Sequence, residues 1–201
     1  MNTQKARIIL LGIMFFLIGY NSFAQQAHTT KDNKIETIQR YINLGYDLQN
    51  KEDYRKSIAY FMDAIALSKE IESDSLLFKS YIKLGKSHLY SWNNEKAIEA
   101  YYNALKLAKS NDDVDQELVA YSGLIAFLPL INKKDKAVDF SRYALTLIDK
   151  ASFKNQKSHV NVLTTICDAF MAKGDYDAML PHVNTGIELA EKLNHHTVLA
   201  D

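Results

Sequence analysis

Residues 81–104, YIKLGKSHLYSWNNEKAIEAYYNA, carry two apolar stripes separated by a polar break at Trp92-Asn93-Asn94. Tyr81, Leu84, Gly85 and His88 fall at spacings of three and four, one face of a helix, and Ala97, Tyr101 and Ala104 resume that period after the break. Two helices joined by a tight turn follow from this pattern. The pattern recurs at a fixed offset: Tyr41, Tyr81 and Tyr121 are 40 residues apart, as are Leu44, Leu84 and Leu124, then Ser57, Ala97 and Ala137, and Ala64, Ala104 and Ala144. So many positions sharing one offset and one residue type mark an internal repeat. Polar stretches at Ser73-Asp74-Ser75 and Ser110-Asn111-Asp112-Asp113 separate the units and offer side-chain oxygens to cap the next helix.

Composition agrees with long helices. The 201 residues include only 2 Pro and 7 Gly against 12 Tyr and 9 Phe, few breakers for a chain of short strands. An apolar fraction of 47% excludes general disorder, and a formal net charge of 0 argues against a nucleic-acid-binding chain. At the amino terminus Lys5 and Arg7 precede an apolar run from Ile8 to Tyr20 and small residues at Ser22 and Ala24, the layout of a secretory signal peptide cut after Ala24. The run is shorter than the roughly 17–25 residues of a membrane span. Export to the bacterial periplasm or cell envelope is therefore expected, with membrane contact only through this segment if uncleaved or through sequence beyond residue 201.

Tyr41-x2-Leu44-Gly45-x2-Leu48, with Ser57, Phe61 and Ala64 downstream, resembles a tetratricopeptide repeat (TPR), whose pattern runs Trp-x2-Leu-Gly-x2-Tyr, then Ala, Phe and Ala. The second unit fits best. The third has Ile125 in the glycine slot and Ser141 in place of the aromatic, and a weaker fourth runs Leu163-x2-Ile166-Cys167-x2-Phe170, then Tyr176, Met179, Val183 and Gly186. The repeat length of about 40 exceeds the family's 34, and the closing proline is missing, with Lys69, Lys109, Asp149 and Glu191 in its slot. The resemblance implies an all-α fold, a right-handed superhelical array of antiparallel helical hairpins. The expected organisation is a signal peptide over 1–24, a polar tether over 25–34, four hairpins at about 35–72, 73–110, 112–150 and 156–193, and the start of a further helix over 194–201. Small residues at Gly45, Gly85, Cys167, Ala64, Ala104, Ala144 and Gly186 mark expected close helix approaches. Of the two prolines, Pro129 should disturb the inner surface, and Pro181 either kinks its helix or is tolerated near the first turn.

Catalytic chemistry finds little footing. The six histidines form no His-Glu-x-x-His motif, there is no Cys-x2-Cys pair, and Gly85-Lys86 lies inside a helix rather than in a phosphate loop. The His195-His196 pair reads as solvated, and the single cysteine, Cys167, as a buried structural thiol. The expectation is a non-enzymatic chain without a cofactor or metal. The family resemblance implies a concave groove lined by the first helix of each hairpin and holding a protein or peptide. Carried over by slot, the groove residues are Ile42, Tyr46 and Gln49, then Lys79, Ile82, Lys86 and Tyr90, then Val119, Ser122 and Ala126, and finally Asn161, Thr164, Asp168 and Met171. The family's carboxylate clamp is absent, since Ile42 and Tyr46 stand in its Lys and Asn slots, and the groove reads as mostly uncharged. The apolar run at the carboxyl end resembles the lead-in to a fifth hairpin. An alternative expectation is therefore the periplasmic input region of a longer membrane-bound histidine kinase or helix-turn-helix regulator.

Overall fold

The structure, a computed structural model, describes residues 30–148, 150–151 and 156–198. The expected signal peptide, the first half of the tether and residues 199–201 lie outside them. Helix α1 covers residues 30–50, so residues 30–34 of the expected tether are helical. It is followed by α2 (Tyr54–Glu70), α3 (Asp74–Tyr90), α4 (Asn94–Ser110), α5 (Val114–Phe127), a 3-10 turn (Leu128–Ile131), α6 (Lys134–Ile148), α7 (Gln156–Lys173) and α8 (Tyr176–Val198). No strand occurs among the described residues.

The helices stop by a shared backbone device. Glu52, Glu72, Trp92, Asp112 and Asn132 are 20 residues apart, and each adopts a left-handed conformation with φ between 50° and 61°. The next residue then donates its N–H back five positions: Asp53 to the Leu48 carbonyl, Ser73 to Ser68, Asn93 to His88, Asp113 to Ala108 and Lys133 to Leu128, at 2.9–3.0 Å. This closure satisfies carbonyls that the helix end would leave orphaned, and it reverses the chain without a proline. Gly174, at φ 84°, does the same between α7 and α8. Turns inside and between hairpins are thus alike, and one helix plus one turn takes 20 residues. Asp53, Asp113 and Asp175 then cap the next helix by accepting from the N–H of Lys56, Gln116 and Ala178. Ser73, an expected cap, makes no such side-chain bond, and Ser110 instead bonds back to the Leu107 carbonyl.

The described residues form four hairpins that stack into an α-solenoid. Along the array α3 packs on α2 and α4, α5 on α3, α4, α6 and α7, and α7 on α6 and α8. Its largest core runs from Phe78 through Tyr101, Leu118, Leu124, Ile125 and Val138 to Ile166 and Phe170. The stretch Val114–Ile131 is long and apolar enough to cross a membrane by composition, yet Leu118, Leu124, Ile125 and Phe127 are fully buried, as suits the central helix of this core. Gly45 faces the Phe61 ring and Gly85 the Tyr101 ring, where a Cβ would lie 2.7 and 3.0 Å from ring carbons. Gly186 departs from expectation: a Cβ there would meet nothing within 4 Å. No hairpin follows α8 among the described residues, so the face that this slot serves elsewhere is open.

Both prolines act locally. At Pro129 the helix tightens into the 3-10 turn, and α5 ends at Phe127 after 14 residues. By contrast α8 continues through Pro181, which leaves the Asp177 carbonyl without its helical donor. The expected new helix from residue 194 is not formed; residues 194–198 extend α8, since no glycine or proline interrupts Leu193-Asn194-His195-His196-Thr197-Val198.

Candidate functional site

The first helices of the second, third and fourth hairpins, α3, α5 and α7, run side by side and frame a groove. A cavity of about 310 Å³ in it is lined by Ile82 and Lys86 of α3, Val119, Ser122 and Gly123 of α5, and Asn161 of α7, with the edge of Tyr101 beneath. Five expected groove residues therefore meet at one place. Ser122 donates to Thr165 Oγ1 at 3.0 Å and so ties α5 to α7 across it. Burial strongly raises the pKa of the Tyr101 phenol, which keeps it a neutral hydroxyl.

One wall is basic. Lys79, Lys83 and Lys86 follow one another at i, i+4 and i+7 on α3, which puts them on one face. Lys83 Nζ sits 4.1 Å from the centre of the Tyr46 ring, and Lys86 Nζ 5.7 Å from that of Tyr90. Burial, and then repulsion from Lys86 and Lys79, pushes the Lys83 pKa down. Tyr46 is 43% exposed, and Tyr90 stacks on Tyr54 with ring centres 5.4 Å apart. The expectation of a mostly uncharged groove is thus corrected, because Lys83 lies between the slots the family pattern supplies. Its signal in the sequence was the Lys79–Lys83–Lys86 spacing.

Ile42, Gln49, Thr164 and Asp168, all expected in the groove, lie elsewhere. Ile42 is buried in a core with Ile38, Ala64 and Ile71, because the α2–α3 turn closes over that face of α1. Gln49 is also interior. Its Nε2 donates to Ser87 Oγ at 2.8 Å and to the Lys83 carbonyl at 3.3 Å, while Ser57 and Ser87 share a hydrogen bond at 2.8 Å. Asp168 lines a different hollow of about 290 Å³ between α7 and α8, together with Thr164, Cys167, Val183, Gly186 and Ile187. The reason is positional: Ser122 meets α7, but Thr164, its counterpart on α7, has no further first helix beside it among the described residues. Cys167 is accordingly half-buried rather than buried, and burial raises its thiol pKa. Ala126 and Met171 are exposed and line neither hollow. Among the described residues no three His, Cys, Asp or Glu side chains are grouped to hold a metal ion.

No protein-family model and no curated protein matches the sequence. Solved structures that share the fold include two Rap proteins. The apo form of RapI superposes with a TM-score of 0.66 at 17% identity, over 80% of this chain and 58% of that one. A Rap protein complexed with competence and sporulation factor gives 0.70 at 16% identity, over 82% and 46%. The chain therefore spans about half the length of these structures. At such identities the likeness is one of fold, a TPR-like helical repeat solenoid.

Proposed function

We propose that the chain is a non-catalytic scaffold whose inner groove binds a partner protein or extended peptide carrying acidic groups. The observation that carries this is the Lys79–Lys83–Lys86 face of α3 beside exposed Tyr46 and Tyr90, of which Lys86 lines the hollow with Ile82, Val119 and Asn161. Crowded cations of this kind gain most from a carboxylate that relieves their mutual repulsion. A structurally similar Rap protein is found complexed with competence and sporulation factor, which supports a binding role for this fold. Retention of acidic over basic peptides on an array probed with the purified protein is the expected result. Lys83→Glu and Lys86→Glu should each weaken that binding at least tenfold; equal retention of both peptide classes overturns the reading. Export belongs to the same proposal and rests on the segment from Lys5 to Ala24. Sequencing the mature amino terminus should find Gln25 first, and Met1 would refute export by cleavage.

The open face of α7 and α8 favours a second reading. In the second hairpin the equivalent residues Tyr101, Ala104 and Leu105 are buried against α5, whereas Val183, Gly186 and Ile187 line an open hollow. A further hairpin would stack there, as in the input half of a longer membrane-bound sensor kinase or helix-turn-helix regulator. Reading the coding frame past Asp201 tests this: a stop codon overturns it, and further repeats followed by an apolar span support it.

A further inference from the structure

A third hollow, of about 530 Å³, lies over α3 between α2 and α4. It is turned away from the groove, since His88 on its floor follows the groove residue Lys86 by two positions, about 200° around the helix. Tyr81 shares that floor. Met62 and Lys69 come from α2, and Lys96, Ala100 and Asn103 from α4.

Forty residues later the chain fills the corresponding crevice with its own rings. Phe140 and Tyr143 lie 5.4 and 5.2 Å from Tyr121, centre to centre. Lys109 approaches Tyr121 and Tyr143 at 5.5 and 5.4 Å, and Lys136 approaches Phe140 at 5.3 Å. The first crevice keeps this frame, with Tyr81, Lys69 and Lys96 in the slots of Tyr121, Lys109 and Lys136, and with Lys69 Nζ 5.9 Å from the centre of Tyr81. Ala100 and Asn103, however, stand where Phe140 and Tyr143 stand. The cations and the aromatic floor remain, and the two rings they would grip are missing. Other slots differ as well: Met62, Ile65, Ala66 and Glu99 stand where Tyr102, Leu105, Lys106 and Asp139 stand, and His88 replaces Leu128. It is only 6% exposed, and its Nδ1 has no hydrogen-bond partner. A buried, unpartnered ring nitrogen costs free energy that a ligand's polar group would recover.

We propose that this cleft binds a phenolic ring. The ring occupies the space above Ala100 and Asn103, against Tyr81 and between Lys69 and Lys96, as Phe140 and Tyr143 do in the next crevice. Its hydroxyl meets His88 Nδ1 once the imidazole, whose Nδ1 is sealed from solvent, turns toward the cleft, and because a phenol both donates and accepts, it suits either imidazole tautomer. Either a free small phenol or a tyrosine side chain of a partner peptide has this chemistry.

The test is a titration of the purified protein, followed by NMR, with p-cresol and N-acetyltyrosinamide, and with toluene as the ring without a hydroxyl. Saturable binding of p-cresol at least tenfold tighter than toluene is expected, with shifts at Tyr81 and Ala100. Comparable binding of N-acetyltyrosinamide assigns the site to a peptide side chain, and binding of p-cresol alone assigns it to a free phenol. The double variant Ala100→Phe/Asn103→Tyr rebuilds the rings of the second crevice, and should abolish binding with Tm unchanged or raised. His88→Leu should bring p-cresol and toluene within twofold of each other. The proposal is overturned if neither phenol binds the parent saturably, if p-cresol binds no better than toluene, or if the folded double variant binds like the parent.

Discussion

Tyr101 of α4 closes on Gly123 of α5 so tightly that a side chain at position 123 would begin 2.3 Å from the ring's Cε1. The same ring touches Gly85 of α3, so one aromatic side chain joins the second hairpin to the third across two glycines. Gly123→Ala must therefore displace a ring that is only 4% exposed. It should lower stability by about 1–3 kcal/mol, as overpacking does. Gly186→Ala is the matched control. It lies in α8 with open space around it, and gaining a better helix former should raise stability by about 0.5–1 kcal/mol. Urea denaturation of the two variants reads both signs, and a Gly123→Ala variant as stable as the parent would refute this packing.

The hairpins were legible because each helix shows its apolar period within a single unit, from Tyr41 to Leu48 or from Ala97 to Ala104. Contacts between units were not. The third repeat has Ile125 in the expected glycine slot, while the glycine that Tyr101 needs stands two residues earlier, visible only once two hairpins are stacked. For the same reason Ile42 and Gln49 read as groove residues although α2 and α3 close over them. The turns showed as polar breaks, but their left-handed backbone did not at Glu52, Glu72 and Trp92, since Glu and Trp rarely adopt positive φ.

Those turns should yield stability to glycine. Glu72 and Trp92 hold φ of 54° and 60°, where an L side chain costs about 1–2 kcal/mol, and Trp92 is 83% exposed, so little packing is lost with it. Part of the gain is offset by the greater freedom of glycine in the unfolded chain. Glu72→Gly and Trp92→Gly should each raise stability by about 0.5–1 kcal/mol in thermal denaturation. A lower melting temperature for both would mean that the side chains, not the backbone, hold these turns.

Acid should weaken the fold through His88. Its pKa is lowered chiefly by burial, with Lys96 adding to the effect and Glu99 opposing it, so the folded state binds fewer protons than the unfolded state below pH 6.5. The associated stability is present above that value and is lost as pH falls toward the folded pKa. His159, also lowered by burial, adds a loss of the same sign. Denaturation at pH 7.5 and 5.5 should show the His88→Leu variant losing less stability than the parent. Parallel losses would exclude His88 as a source.

Tyr46 and Gln49 lie less than one turn apart on α1, and the structure gives them opposite roles. Gln49 is 5% exposed, and its amide ties α1 to the Ser87 hydroxyl of α3, which in turn meets Ser57 of α2. Gln49→Ala removes that donor and leaves a cavity, so it should cost about 1–3 kcal/mol of stability. Its effect on a groove ligand should be small once the protein is folded. Tyr46→Ala does the reverse: it frees the Lys83 ammonium from an exposed ring, leaving stability within about 0.5–1 kcal/mol, the worth of an exposed cation–π contact. Binding of an acidic peptide should change several-fold, because the ring shapes the approach to Lys83. Urea denaturation alongside peptide titration separates the two. A Gln49→Ala variant that keeps full stability but loses binding would return Gln49 to the groove and place α1 in a different rotation about its axis.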